Sequence, residues 1–288
     1  MTVPVPTGVV LTRAEQRYTG GEPGIESRYA FSFGDHYDPR NIHFGPLLAV
    51  NEERLEPGAG FAPHRHRDTE IVTWVLEGAL EHRDSEGNQG VLRPGTAQVM
   101  SAGAGVEHTE RNAGPTPVRF VQTWLQPDAW EPPPAGADHP HAPGPDAPGG
   151  VPRYARRTVP PELRHAVLAA GPEPPAGPGP PSGAAPLRRR DAELHLVRRA
   201  ALDTDGASEP GEPGPQELTE LPRAPFLYVH VVRGELRCAA DTGRGETDHR
   251  LLPGDALRVR DNAWARPRAG EHGVELLVWA MHSDLRRG

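Results

Sequence analysis

Apolar positions along this chain recur in short alternating runs that glycines interrupt. Trp74 to Leu80 reads WVLEGAL, and Leu92 to Met100 reads LRPGTAQVM. Val231 to Cys238, VVRGELRC, and Leu251 to Val259, LLPGDALRV, repeat that order in the second half. Each set predicts a strand, a Gly turn, a strand, a Pro-Gly turn and a further strand, because strand side chains alternate between two faces. From the first Gly to the Gly of the Pro-Gly turn the interval is 17 residues in one set (Gly78 to Gly95) and 20 in the other (Gly234 to Gly254). Short strands with glycine-centred turns argue an all-β sandwich or barrel, and two sets argue two barrels. Helical periodicity is hard to find. Even PPELRHAVLAA, Pro160 to Ala170, reads better as a strand.

Composition adds the boundaries. Pro (35) and Gly (33) make up nearly a quarter of the 288 residues, and only 36% are apolar, so a folded core is diluted by loops. Glu131 to Gly150, EPPPAGADHPHAPGPDAPGG, cannot bury apolar surface and reads as a linker. It divides the chain into an N-terminal domain, 1–130, and a C-terminal domain, 151–288. Gly171 to Pro186 and Asp205 to Pro215 have the same character and read as loops inserted in the C-terminal domain. No apolar run is long enough for a transmembrane helix, and the first residues carry no basic start followed by an apolar block, so no membrane anchor or secretory signal is expected. With one cysteine, Cys238, no intrachain disulfide can form, which fits a cytoplasmic location. A net charge of −8 disfavours direct contact with nucleic acid.

Candidate chemistry concentrates in the first half. His64 and His66, in PHRHRDTEIVTWVLEG, stand at i and i+2. On a strand such residues share a face, about 6–7 Å apart. His108 and Glu110, in SAGAGVEHTERN, repeat the spacing. If both strands face one barrel interior, three imidazoles and a carboxylate converge on one divalent metal ion; Fe, Mn, Ni, Cu and Zn all suit the set. Other histidines are weaker candidates. His82 sits at a hairpin and is expected to face solvent. His36 and His43 fit a place near the barrel mouth and a capping loop equally well, and His139 and His141 lie in the linker without rigid support. Cys238 reads as a buried small hydrophobe.

The stretch GAGFAPHRHRDTEIVTWVLEGALEHRDSEGNQGVLRPGTAQVMSAGAGVEHTERN resembles the first cupin domain of the pirin family, and most closely its bacterial quercetinase-like members. The resemblance continues through RYAFSFGDHYDPRNIHFGPLLAVNEERLEPG upstream and FVQTWLQPD downstream, and covers essentially the first 128 residues. It implies a bicupin with one metal, in the N-terminal barrel only, held by His64, His66, His108 and Glu110. The general cupin pattern departs at one point. Glu70 has seven residues between it and Gly78 rather than six, so strand parity turns it away from the ligand face and puts Ile71 in its place. Glu110 then supplies the carboxylate, and Asn112 completes the second motif four residues after His108. Transferring the ligand offsets to the second half lands on Glu220, Pro222, Pro267 and Ala269, so the C-terminal barrel is expected to hold no metal.

What the resemblance implies about function is a metal-dependent dioxygenase, with Fe(II) the first choice of ion, that opens a flavonol or related enediol-like aromatic with O2 at the 2,3-bond. Glu110 would act as ligand or as general base. The alternative is a non-catalytic, redox-sensing metal protein that docks on a protein partner, a transcription factor or a metabolic enzyme.

Overall fold

The computed structural model describes residues 8–128, 150–172, 183–201, 217–241 and 246–285. The expected linker, apart from Gly150, lies outside them, as do His139, His141 and the Asp205–Pro215 stretch. Among the described residues the chain is almost wholly β. It runs through β1 (Val9–Thr12), a 3-10 turn (Ala14–Gln16), β2 (Tyr18–Gly20), β3 (Ile25–Tyr29), β4 (Leu47–Leu55), β5 (Gly60–His66), β6 (Glu70–Glu77), β7 (Leu80–Asp84), β8 (Gln89–Leu92), β9 (Thr96–Ser101), β10 (Val106–Asn112) and β11 (Val118–Leu125). Then come β12 (Arg153–Thr158), β13 (His165–Ala170), β14 (Ala185–Pro186), β15 (Ala192–Arg199), β16 (Phe226–Asp241), β17 (Glu246–Leu251), β18 (Ala256–Arg260) and β19 (Trp264–Met281). No described helix is long and apolar enough to cross a membrane.

The two compact units are interleaved in sequence. One comprises 18–161 with 168–191 and 285–288; the other comprises 1–17, 162–167 and 192–284. The first residues of the chain therefore belong with its second half, unlike the simple division at 131–150 read from composition. Pairing is the reason: β1 lies antiparallel to β18, Val9 opposite Val259 and Thr12 opposite Ala256. Arg13 extends the contact by donating from Nη1 to Asp255 Oδ2 at 2.7 Å.

The N-terminal barrel has a four-stranded sheet, β5-β10-β7-β8, and a seven-stranded sheet, β12-β9-β6-β11-β4-β3-β2. Its interior is layered. One end is apolar, closed by Leu55, Val75, Leu80, Leu92, Val118 and Phe120. At the other, Ile71, Met100, Ala102 and Val106 pack with Trp124. Between them the inward positions turn polar: Glu53, Thr73, His82, Gln98, His108, Glu110 and Gln122 are all buried. Burying so many polar groups is costly unless they find partners or a ligand, so this layer marks the working part of the barrel.

The C-terminal barrel is different inside. Val197, Leu227, Val229, Val231, Leu236, Leu257, Val259, Leu276 and Val278 form one apolar cluster, and Cys238 is part of it. The expected turn at Gly234 is absent as a break; β16 runs through it while β19 pairs on both sides, Val231 with Leu276 and Leu236 with Ala269. Register shifts at Val231/Arg233 and Gly234/Leu236 absorb the bend. Gly78 breaks β6 from β7 in the N-terminal barrel, and both glycines have positive φ, +78° and +72°.

Candidate metal centre

The centre is built where β5 and β10 pair. His108 lies opposite His64, and Val106 opposite His66. A register shift follows, so that Glu110 lies opposite Phe61. Period-two alternation turns His108, Glu110 and Asn112 inward and leaves Glu107 and Arg111 exposed. The ring centroids of His64, His66 and His108 are 4.4 to 4.9 Å apart. Each offers a ring nitrogen within 4.8 Å of the other two.

Their hydrogen bonds leave these nitrogens available. His66 Nε2 and His108 Nε2 are buried and make no hydrogen bond. His64 Nδ1 lies 2.7 Å from the Ala62 carbonyl oxygen, which fixes the proton on Nδ1 and leaves Nε2 as the lone-pair nitrogen. Burial holds His66 down at about 4, with the neighbouring His64 adding to the effect. Burial likewise lowers His108, helped by His64, His66 and His82. Neutral imidazoles crowded together with bare nitrogens are what a borderline divalent cation requires.

Glu110 is completely enclosed, and its two carboxylate oxygens accept from Gln122 Nε2 at 3.1 and 2.8 Å. Burial raises its pKa, and the Gln122 hydrogen bond opposes this. Its carboxylate groups with His82 and His108, forming a second cluster that shares His108 with the first. The four residues expected from the sequence thus meet in one layer: three histidines close together, and Glu110 joined to them through His108.

His82 is a correction. It is fully buried, not at the solvent face of a hairpin. The signal was present: it lies two residues after the buried Leu80, so parity along β7 turns it inward. Gln98, Gln122 and Glu53 also escaped notice, because polar residues in alternating strands read as the solvent face. Trp124 donates from Nε1 to Gln122 Oε1 at 3.1 Å and sets its edge against His66, with 4.8 Å between centroids. Phe33 continues this aromatic wall, 5.1 Å from Trp124.

Glu70 lies apart from the histidine group. Its buried carboxylate accepts from Ser101 Oγ at 2.8 Å and from the Arg188 backbone N–H at 3.0 Å. Ile71 packs with Met100 and Trp124, as parity requires. His36 and His43 are tied to backbone carbonyls, of Thr19 at 2.7 Å and Gly45 at 3.1 Å. In the C-terminal barrel His195 stacks on His165 with 7° between ring planes and contacts Glu193 at 3.1 Å. Among the described residues no metal-capable group occurs there.

Residues 12–125 match the Pirin family model. A protein of Mycobacterium tuberculosis named "Putative quercetin 2,3-dioxygenase" is 40% identical over 278 residues, covering 96% of both chains. The chain belongs to the pirin family. A Pseudomonas aeruginosa protein, also named as a putative quercetin 2,3-dioxygenase, is 43% identical over 258 residues, 88% of this chain and 91% of that one. The bacterial pirin YhhW of Escherichia coli, solved in complex with nickel(II), superposes with a TM-score of 0.71 over 96% of this chain and all of that one, at 23% identity. The all-β, two-barrel architecture is therefore that of the pirin bicupins, with its histidine-glutamate cluster in the N-terminal barrel.

Proposed function

We propose that this pirin is a metal-dependent dioxygenase that opens a flavonol or related enediol-like aromatic with O2. One divalent ion, Fe(II) first and Ni, Mn, Cu or Zn as alternatives, would be held by His64, His66, His108 and Glu110. The observation that carries the reading is the set of three close imidazoles, of which the buried His66 and His108 Nε2 atoms have no hydrogen-bond partner. When bound, the ion supplies Lewis acidity that lowers the pKa of a chelating hydroxyl.

The chain's residues supply the rest. Burial raises the pKa of Glu110, which makes its carboxylate a stronger base toward a substrate hydroxyl when it is not bound to the ion. Gln122 holds that carboxylate in place, and Trp124 fixes which end of the Gln122 amide points at it. Trp124 and Phe33 give a planar aromatic substrate a wall to lie against. The names of the Mycobacterium and Pseudomonas relatives point to the same chemistry.

The test is elemental analysis of purified protein, then anaerobic incubation with quercetin and admission of O2, following flavonol absorbance and carbon monoxide. One ion per chain with O2-dependent loss of flavonol supports the assignment. One ion without turnover transfers it to the alternative, a non-catalytic metal protein that docks on a protein partner. Loss of flavonol by metal-free His64→Ala protein at the wild-type rate would refute the role of the centre.

A further inference from the structure

We propose that His82 and Asp84 form a positioning pair that sets the tautomer of His108 and thereby aims its bare Nε2 at the ion. The inference rests on the metal-centre reading above and adds two residues that do not themselves contact the ion.

The tautomers follow one from another. Tyr154 donates its hydroxyl hydrogen to Gln98 Oε1 at 2.9 Å. The Gln98 amide nitrogen faces His82, with Nε2 3.3 Å from His82 Nδ1. An amide N–H can only donate, so His82 Nδ1 accepts and the ring proton sits on Nε2. There it donates to Asp84 Oδ2 at 3.2 Å. Asp84 is held by its own turn: Oδ1 accepts from the backbone N–H groups of Glu86 at 3.1 Å and Asn88 at 2.9 Å, and Oδ2 accepts from Asn88 Nδ2 at 2.9 Å.

His108 Nδ1 lies 3.5 Å from His82 Nδ1. Because His82 carries no proton on that atom, His108 must carry one on its own Nδ1. Its Nε2 is then the lone-pair nitrogen, and this is the atom that is buried without a hydrogen bond. Both contacts to His82 Nδ1 are long, as expected when two donors share one lone pair. Enclosure makes the arrangement strict: His82 is 0% exposed, the Asp84 side chain 1% and His108 2%. Metal-bound histidines commonly donate their second N–H to a fixed acceptor, which locks the ring.

The same atoms admit a rival use, since His82, His108 and Glu110 cluster closely enough to hold an ion themselves. Both nitrogens of His82 are already engaged, which favours the positioning role.

Asp84→Asn separates these uses. Its oxygen would stay with the two turn N–H groups, leaving an amide N–H against His82 Nε2. His82 must then move its proton to Nδ1, and His108 must move its own to Nε2, where it blocks ligation. Gln98→Glu reaches the same result without touching β7 or its turn, because the new carboxylate attracts a proton to His82 Nδ1. Metal-free wild type and both variants would be titrated with Co(II) against a chelator, and the ligand-field absorption recorded. Wild type should bind one Co(II) per chain. Each variant should bind about 10–100-fold more weakly with an altered spectrum, while the melting temperature of the metal-free protein stays near wild type for at least one. Unchanged affinity and spectrum in both variants would overturn the positioning role. So would two Co(II) ions per wild-type chain, one of them lost in His82→Leu. Wild type that takes up no Co(II) would remove the metal centre itself, and this inference with it.

Discussion

Glu53 shows what a single buried residue does in this barrel. Its carboxylate accepts from the Ser27 hydroxyl, and its side chain is 4% exposed. Burial pushes its pKa up to about 8, the Ser27 bond pulling back and the Glu110 charge adding to the rise. A carboxyl whose folded pKa is raised stabilises the fold fully below its unfolded value near 4.5, and that contribution is lost as pH rises through the folded value. The metal-free protein should therefore lose stability between about pH 4.5 and 8, by at most ~1.4 kcal/mol per pH unit from this group. Glu53→Gln keeps an acceptor for Ser27 and cannot ionise, so urea midpoints across that range should flatten in the variant. Cys238 gives a second residue-scale expectation. Burial raises its thiol to about 12, leaving almost no thiolate at neutral pH. A disulfide reagent should leave it unmodified in the native protein and label it fully in guanidinium; rapid native labelling would contradict the apolar packing.

At the scale of elements, the end of β10 shows how a short motif does two jobs. His108 and Glu110 face the centre, and Asn112, on the same face, closes the strand. Its Nδ2 donates to the carbonyls of Leu55 and Thr116, both at 2.9 Å, and its Oδ1 accepts from the Gly114 N–H at 2.8 Å. Asn112→Ala leaves these buried groups unpaired and should cost about 1–3 kcal/mol, read as a shift in denaturant midpoint. The break between β6 and β7 depends on Gly78, where a Cβ would lie 2.7 Å from the Pro117 carbonyl oxygen. With φ at +78°, Gly78→Ala should destabilise by more than ~1 kcal/mol. A neutral result in urea unfolding would mean that the turn relaxes freely.

The alternation that revealed β5 and β10 also explains what was missed on neighbouring strands. His64/His66 and His108/Glu110 are conspicuous because the same i, i+2 spacing of metal-ligating residue types occurs twice, each time beside glycine-rich turns. Gln98 and Gln122 are conspicuous only once their strands are known to face inward, because a polar residue in an alternating strand normally marks the wet face. His82 shared its parity with Leu80, yet the adjacent DSEGN turn made solvent the simpler reading.

At the scale of the whole molecule, the two barrels differ in what they enclose. The N-terminal barrel keeps a polar layer with a candidate ion site, and the C-terminal one fills its interior with aliphatic side chains. The N-terminal strand belongs to the latter through its pairing with β18. Removing residues 1–17 should therefore expose that barrel's edge to proteolysis and lower its melting temperature, while Co(II) binding by the N-terminal barrel persists. Loss of Co(II) binding with no change in melting would contradict this division.

The sequence by itself determined the all-β class, and it singled out His64, His66, His108 and Glu110 as candidate ligands and left Glu70 out of them. Those follow from period-two alternation and residue chemistry, which are local properties. Only the tertiary structure decided that β1 completes the barrel of the other half, that β16 runs unbroken through Gly234, and that His82, Gln98 and Gln122 are buried in the polar layer of the N-terminal barrel. Each of these depends on which strands become neighbours, and strand pairing joins residues that no local pattern links.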